Sequence, residues 1–399
     1  MALVLPRTTV IEPGARRRAG AEAVALGTRR ALVVTDAFIA GSGVADEVAD
    51  ALREAGLEAT VWSGVEPDPT DAAVDAGHAA LVAHDADLVV GVGGGSALDA
   101  AKAIAVRGAN PGPLRTYMGY QQLVGEGLPT IAIPTTAGTG SEATRVVVIT
   151  ETSTDTKMML LDDRLCPTVA LVDVELSATM PRPLTAHVGV DTLTHGIEAY
   201  VSAKATDETD PLALACIERF GRHLEAAWRD GGDRDARAAM ARAAYEGGAA
   251  FSNASVCLVH GMSRPLGAVF HVPHGLSNAV LLPAVTAFSL AGAPARYADV
   301  ARALGVADDA PPVDDAPSSD SAPAADPDAR AGAALLAHLA DLNVRLEVPR
   351  LRDLPGVTRE RFDAALPKMA ADALASGSPD RNPVVPTADQ IEDLYRAAW

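Results

Sequence analysis

The first 92 residues alternate between apolar and helical stretches, and this alternation constrains the fold more than any other feature. Residues 30–36, 59–62 and 87–92 are rich in apolar and β-branched side chains, which is typical of buried strands. Residues 44–55 and 71–84, which lie between them, have helical composition. Strands that alternate with helices in this way favour a parallel, doubly wound sheet, so the pattern predicts a Rossmann-like α/β domain.

A different composition begins near residue 181. The sequence from that point is almost entirely helical, with helices predicted over 185–203, 211–227 and 235–253. We therefore expect an α/β domain over residues 1–180 and an all-α domain over residues 181–399. Residues 307–328 are a low-complexity stretch of Pro, Asp, Ala and Ser, which predicts a flexible surface insertion.

The charge balance of the chain excludes two kinds of partner. The 33 basic and 52 acidic residues give a net charge of −19. Nucleic acids and anionic membrane surfaces attract basic proteins, so we expect neither as a partner. The sequence has no run of about 18 apolar residues, so we expect no membrane span. The short apolar run at the N-terminus is interrupted by Pro6 and lacks the layout of a signal peptide.

The cysteine content indicates the compartment. Cys166, Cys216 and Cys257 are the only cysteines, and they are too few and too widely spaced to form a disulfide framework. Three reduced thiols are typical of a cytoplasmic protein, so we expect a cytoplasmic location.

A candidate metal site is indicated by Asp191 and His195. These residues are four apart in a predicted helix, so they lie on one face, one turn apart. His260 and His274 follow downstream and complete a set of three histidines and one carboxylate, which suits a divalent first-row metal with positions open for water or substrate. The alternative is an ordinary polar pair on a helix surface. Five of the nine histidines lie within 187–195 and 260–274, which favours the metal site.

Two polar loops follow predicted strands. Residues 91–96 contain four glycines between a strand and a helix, where the backbone and the helix N-terminus can approach a phosphate. A tight turn without a ligand also uses glycine, and neither G-x-G-x-x-G nor a P-loop is present, so both interpretations stay open. The second loop, residues 135–142, follows another parallel strand and would line the same crevice as the glycine-rich turn.

Asp36 ends an earlier strand, and two roles are open for it. It either binds ribose hydroxyls and favours NAD over NADP, or caps a helix.

Four motifs together resemble the iron-containing (group III) alcohol dehydrogenase family. The resemblance is strong over roughly residues 5–300 and weaker in the tail. The matching motifs are Gly93-Gly94-Gly95-Ser96 with Asp99 and Lys102, the run from Pro134 to Glu142, the run from Gly189 to Tyr200, and the run from Val259 to Gly275.

This resemblance implies a nucleotide-binding α/β domain, an all-helical domain and catalysis in the cleft between them. It implies reversible hydride transfer between NAD(P) and a small alcohol or aldehyde, in a protein that we expect to form a homodimer. It implies Fe²⁺ or Zn²⁺ held by Asp191, His195, His260 and His274. It implies cofactor contacts from Asp36, Gly93, Gly94, Gly95, Ser96, Asp99, Thr135, Thr136 and Thr139, with Lys157 near the cofactor.

The sequence departs from the family pattern at Arg264. Members of the family often carry a further histidine four residues after the third metal ligand, and this chain has arginine there. Arginine stays protonated and cannot act as a general acid at neutral pH, but it binds carboxylates and phosphonates bidentately. We therefore expect Arg264 to select substrates that bear an acidic group, with His271 in the same pocket. The alternative is an arginine in a structural ion pair at a helix end.

The sequence is also compatible with other ligands and functions. His187 lies four residues before Asp191 and has the spacing of a ligand, but the family does not use this position. A maleylacetate-reductase-like or hydroxyacid-oxoacid transhydrogenase branch of the same fold is one alternative, and a catalytically silent nucleotide- or metal-binding protein is another. The four retained metal ligands count against both alternatives.

Overall fold

The computed structural model describes residues 2–154, 156–308 and 326–399. Most of the predicted insertion at 307–328 therefore lies outside the described residues. The described chain divides into two compact units. The α/β unit consists of residues 2–180 and 232–252, and the helical unit consists of residues 181–231 and 253–399.

The described residues form two β-sheets. The strands are β1 (Thr8–Glu12), β2 (Arg30–Asp36), β3 (Glu58–Val65), β4 (Leu88–Gly93), β5 (Gly119–Tyr120), β6 (Thr130–Pro134), β7 (Val146–Glu151), β8 (Thr156–Leu161) and β9 (Val169–Asp173). The main sheet has the order β1-β9-β6-β4-β2-β3, and all its strand pairs are parallel. The antiparallel hairpin of β7 and β8 pairs with β5 in a separate sheet. The predicted parallel α/β fold is confirmed.

The helices occupy both units. They are α1 (Ala19–Leu26), α2 (Ala37–Gly41), α3 (Val44–Glu54), α4 (Asp71–Ala83), α5 (Gly95–Arg107), α6 (Arg182–Val201), α7 (Asp210–Arg229), α8 (Arg234–Ala254), α9 (Leu258–Phe270), α10 (His274–Ser289), α11 (Pro294–Leu304), α12 (Pro327–Arg345), α13 (Arg359–Ala375) and α14 (Ala388–Ala397). After residue 181 the described residues form helices and no β-strand, as the composition predicted.

The core of the α/β unit lies on both faces of the main sheet. Leu32 and Val34 of β2 pack into one apolar cluster, while Val33 packs into another on the opposite face. Successive side chains of a strand point to opposite faces, so β2 has consecutive apolar residues at positions 31–34 to cover both. This requirement explains why the central strands read as continuous apolar runs in the sequence.

The helical unit is built around α6, whose residues 189–201 are buried on all sides. A helix that is buried all round needs no amphipathic pattern. The stretch His274–Gly292, which includes α10, is also apolar and is long enough to cross a membrane by length and composition. Within an 18-residue window of this stretch, 56% of the residues are buried inside the protein, as in the core helix of a folded domain.

Candidate metal centre and cofactor loops

The structure brings the four predicted metal ligands together. Asp191 and His195 lie one turn apart on α6, His260 lies in the first turn of α9, and His274 begins α10. Their candidate ligand atoms all lie within 4.8 Å of one another. Oδ1 of Asp191 is 3.7, 3.6 and 3.8 Å from Nε2 of His195, His260 and His274, respectively.

Burial and charge prepare these groups to bind a cation. Asp191, His195 and His260 are buried, whereas the side chain of His274 is 47% exposed and leaves one side of the cluster open. Burial alone would raise the pKa of Asp191, but the three nearby histidines outweigh it and hold that pKa well below its usual value. The carboxylate of Asp191 is therefore ionised at neutral pH.

The distances and the donor set fit a divalent metal ion. A tetrahedral ion with bonds of about 2.0–2.2 Å separates its ligand atoms by roughly 3.3–3.6 Å. The three distances from Asp191 lie between 3.6 and 3.8 Å, at or just beyond the upper end of this range, while the widest separation in the cluster, up to 4.8 Å, would have to shorten around an ion. Three imidazole nitrogens and one carboxylate oxygen are suitable donors for Fe²⁺ or Zn²⁺.

Asn278 provides an independent sign that a cation belongs here. Its Nδ2 lies 2.6 Å from Oδ1 of Asp191, 3.1 Å from Nε2 of His260 and 3.3 Å from Nε2 of His274. An amide nitrogen carries only two hydrogens, so it cannot satisfy three acceptors. Oδ1 of the same buried amide has no hydrogen-bond partner in the described part of the chain. The converging acceptors match a positive ion better than they match an amide.

Two further residues at this centre, Glu198 and Asn278, were not predicted from the sequence. Oε2 of Glu198 lies 2.6 Å from Nδ1 of His260. Their positions carried a signal, because Glu198 lies seven residues after Asp191 and Asn278 lies four residues after His274. At these spacings each residue shares a helix face with a predicted ligand.

The glycine-rich turn packs directly against the second polar loop. Gly93 ends β4 with φ +152°, and a Cβ built there would lie 2.6 Å from Cβ of Ala97. A Cβ built at Gly95 would lie 2.9 Å from Cγ2 of Thr139. Both distances are too short for a larger residue, so the glycines permit this close approach. The half-exposed residues of the two loops are Gly94, Gly95, Ser96, Thr136 and Thr139, while Thr135 is buried and donates its N–H to the carbonyl of Gly93 at 2.9 Å.

The two interpretations of Asp36 are compatible in the structure. Its Oδ1 accepts a hydrogen bond of 2.9 Å from the N–H of Ile39, so Asp36 caps α2. Its Oδ2 lies 3.5 Å from the position that a Cβ of Gly93 would occupy. One oxygen therefore caps the helix, and the other lies beside the glycine-rich turn.

Asp99 and Lys102 connect the glycine-rich turn to the second polar loop. Oδ1 of Asp99 accepts from Oγ of Ser141 at 2.6 Å, and its Oδ2 accepts from the N–H of Val148 at 2.9 Å. Nζ of Lys102 donates to Ser141, Thr144 and the carbonyl of Val146. Burial lowers the pKa of Lys102, although Asp99 and other acidic groups offset part of this effect. Both oxygens of Asp99 are thus engaged within the protein.

The structure gives different surroundings to Lys157 and His271. Lys157 lies on β8 and forms an ion pair of 2.5 Å with the exposed Asp68. His271 is exposed and ends α9 in a left-handed conformation with φ +55°. Neither residue is in the four-residue ligand cluster.

Arg264 lacks the counterion that a structural ion pair requires. It is partly buried on α9, and its Nη1 donates a hydrogen bond of 3.0 Å to Oγ of Ser378. No carboxylate among the described residues forms an ion pair with its guanidinium within 4.0 Å. Burial lowers the pKa of Arg264, and the negative charge of Glu198 offsets part of this effect. The guanidinium is therefore a partly buried cation with a neutral hydrogen-bond partner.

Comparison with known proteins identifies the family. The profile described as iron-containing alcohol dehydrogenase matches residues 6–174, and the profile for the C-terminal part of the Fe-containing alcohol dehydrogenase family matches residues 185–399. The chain is 41% identical to the NAD-dependent methanol dehydrogenase of Bacillus methanolicus over 301 residues, which cover 75% of this chain and 79% of the relative.

Solved structures of similar fold cover the whole chain. A 1,3-propanediol oxidoreductase superposes with a TM-score of 0.91 at 34% identity, over 100% of this chain and 99% of that chain. The sulfoacetaldehyde reductase of Bifidobacterium kashiwanohense, solved in complex with NAD⁺, superposes with a TM-score of 0.85 at 27% identity, over 100% and 97% of the two chains.

These matches define an oxidoreductase that acts on alcohols. The chain belongs to the iron-containing alcohol dehydrogenase family, as its sequence motifs predicted. The predicted enzyme class is confirmed as well.

Proposed function

We propose that this enzyme interconverts a small primary alcohol and its aldehyde with NAD(H) and one divalent metal ion. The observation that carries the proposal is the convergence of Asp191, His195, His260 and His274 within 4.8 Å. The chain also carries a glycine-rich turn at the end of a parallel strand, where dinucleotides bind in such sheets. The expected cofactors, iron and NAD, agree with the family name and with the NAD-dependent relative.

The reaction moves a hydride and a proton separately. The hydride leaves the alcohol carbon for the nicotinamide of NAD⁺, the hydroxyl proton leaves for solvent, and the products are aldehyde, NADH and H⁺. A bound divalent metal ion would lower the pKa of the alcohol or polarise the aldehyde carbonyl. Asp191 supplies an ionised oxygen to hold that ion, and the exposed side of His274 leaves room for substrate.

The cofactor contacts follow from the two loops. The helix N-terminus at Gly94 and Gly95 offers backbone N–H groups to a pyrophosphate. Ser96, Thr135, Thr136 and Thr139 lie on or beside the same turn, and Gly93 and Asp99 hold its shape. The second oxygen of Asp36 is available to ribose hydroxyls and would repel a 2′-phosphate, which favours NAD over NADP. Lys157 remains a proposed neighbour of the cofactor.

The surroundings of Arg264 support an acidic substrate. A partly buried guanidinium without a carboxylate partner is matched by an anionic group of a ligand, with the Ser378 hydroxyl as a second donor. One solved relative acts on sulfoacetaldehyde, whose aldehyde bears an anionic group. We therefore propose a short aldehyde with a carboxylate, phosphonate or sulfonate group as the preferred substrate, with His271 lining its pocket.

The alternatives receive less support. The maleylacetate-reductase-like branch usually departs from the four ligands, which are all present here, and a silent binding protein would not need them to converge around one point. A cytoplasmic location is supported by the three free thiols. The expected homodimer is testable by light scattering during size-exclusion chromatography.

The test combines metal analysis with a substrate screen. The purified enzyme should contain one iron or zinc per chain and should oxidise NADH with short aldehydes, fastest with those bearing an acidic group. A protein that binds no divalent metal and oxidises NADH with no aldehyde would contradict the proposal.

A further inference from the structure

Glu198 occupies the same face of α6 as Asp191 and His195. It lies seven residues after Asp191 and three after His195, so all three side chains project to one side of the helix. The Glu198 side chain is only 3% exposed, and both of its oxygens have partners on α9. A carboxylate group buried to this degree requires such partners to offset its lost hydration.

One oxygen of Glu198 caps α9. Its Oε1 accepts a hydrogen bond of 2.6 Å from the N–H of Val259, in the first turn of that helix. N–H groups of a first turn have no partner within their own helix, and the N-cap residue Cys257 supplies no side-chain bond to them. The carboxylate also places negative charge at the positive end of the helix dipole. Glu198 thereby fixes where α9 begins relative to α6.

The other oxygen of Glu198 determines the tautomer of His260. Oε2 lies 2.6 Å from Nδ1 of His260, and an ionised carboxylate can only accept hydrogen bonds. Nδ1 must therefore carry the proton. A neutral His260 then presents the lone pair of Nε2, which is the atom 3.6 Å from Oδ1 of Asp191.

We propose that Glu198 is a positioning residue of the metal centre, which holds His260 in the tautomer and orientation that binds metal through Nε2. The inference rests on the metal centre proposed above. Loss of a carboxylate that is hydrogen-bonded to a metal-binding histidine typically lowers metal affinity by about 10- to 100-fold. The affinity falls because part of the binding free energy is then used to orient the histidine.

Glu198→Gln tests this role with little change in shape. Two donors, Nδ1–H of His260 and N–H of Val259, face the two oxygens of Glu198. A carboxamide offers one oxygen and an NH₂ group, so the NH₂ must face one of these donors. If it faces His260, it favours the tautomer with the proton on Nε2, which leaves that nitrogen without a lone pair for a metal ion. If it faces Val259, a helix N–H loses its partner.

The experiment measures the Zn²⁺ dissociation constant of the metal-free full-length enzyme by competition with a chromophoric chelator. We expect Glu198→Gln to raise this constant about 10- to 100-fold. The matched control is Glu218→Gln on α7, where the glutamate is 47% exposed and pairs with Arg222, and it should stay within about twofold of wild type. Thermal unfolding of both metal-free variants establishes that they are folded.

A second measurement decides the question if Glu198→Gln does not fold. The ¹⁵N chemical shifts of the His260 ring in metal-free wild type report its tautomer, and we expect the proton on Nδ1. A neutral ring with its proton on Nε2 would overturn the inference, and so would an unchanged Zn²⁺ dissociation constant in folded Glu198→Gln. Failure of wild type to bind Zn²⁺ would instead contradict the metal centre itself, and the inference with it.

Discussion

Ser141 donates a hydrogen bond of 2.6 Å to Asp99, although 42 residues separate them. Lys102 donates to the same serine oxygen at 2.8 Å, so a largely buried charged pair joins the glycine-rich turn to the second polar loop. The two motifs that flank these residues therefore form one scaffold. The charges of Lys102 and Asp99 stabilise the close approach of the two loops, which the glycines permit sterically.

Removing the charge of Asp99 should destabilise this scaffold. Asp99→Asn leaves the buried ammonium of Lys102 without its carboxylate partner, 3.7 Å away, which should cost about 3 kcal/mol in the free energy of unfolding. Urea titration measures this loss. Asp50→Asn is the control, because Asp50 is 65% exposed and its ion pair with Arg53 contributes little. Equal losses in the two variants would show that the Asp99 carboxylate has no special role.

Asp36 should set the preference for NAD(H). Asp36→Ser keeps a side chain that can cap α2 but removes the charge that repels a 2′-phosphate. The ratio of kcat/KM for NADPH to that for NADH should rise about tenfold, which corresponds to about 1.4 kcal/mol. Steady-state kinetics with both cofactors measures the ratio. If wild type already uses NADPH as efficiently as NADH, Asp36 does not set the cofactor preference.

Arg264 should discriminate between acidic and neutral aldehydes. A bidentate, charge-assisted pair in a partly buried site contributes about 2–4 kcal/mol to transition-state binding. Arg264→His should therefore lower kcat/KM for an acidic aldehyde by roughly 30- to 1,000-fold and affect a neutral aldehyde of equal length far less. Arg264→Lys keeps the charge and should retain part of the preference. Equal losses on both aldehydes would assign Arg264 a structural role.

Glu142 should make stability depend on pH. Burial raises its pKa to about 7, although its own backbone N–H and Lys102 offset part of the effect. Because the folded-state pKa lies above the unfolded value, the folded protein binds more protons between pH of about 4.5 and 7. The contribution of Glu142 to stability is therefore largest below that window and falls as pH rises through it.

The matching variant is Glu142→Gln, which cannot ionise. It should gain stability relative to wild type at pH 8 and lose that advantage at pH 5. Urea midpoints at the two pH values measure the difference. A gap between the proteins that does not change with pH would show that Glu142 ionises normally in the folded state.

Features encoded within one element were predictable from the sequence. Asp191 and His195 belong to one helix, whose geometry fixes their separation, and the continuous apolar strands indicate a sheet covered on both faces. Contacts between distant elements were not predictable. Most of α8 belongs to the α/β unit, where Tyr245 and Ser252 form hydrogen bonds with Thr9 and Arg145, respectively. The composition of α8 nevertheless resembles that of the helical unit.

The supporting residues of the metal centre illustrate the same limit. Glu198 has the helical spacing of a buried residue, but its bond to His260 depends on where α9 begins. Arg264 has the same sequence signature whether it pairs with a carboxylate or not. Only its surroundings in the folded chain, with Ser378 as its hydrogen-bond partner, distinguish the two interpretations.

The proposed metal centre requires Asp191, His195, His260 and His274 to hold one divalent metal ion. Its most direct test is the metal content of wild type and of His195→Ala, purified identically and measured by mass spectrometry. We expect about one iron or zinc per chain in wild type and almost none in His195→Ala, with both proteins folded. Full metal occupancy in His195→Ala would contradict it.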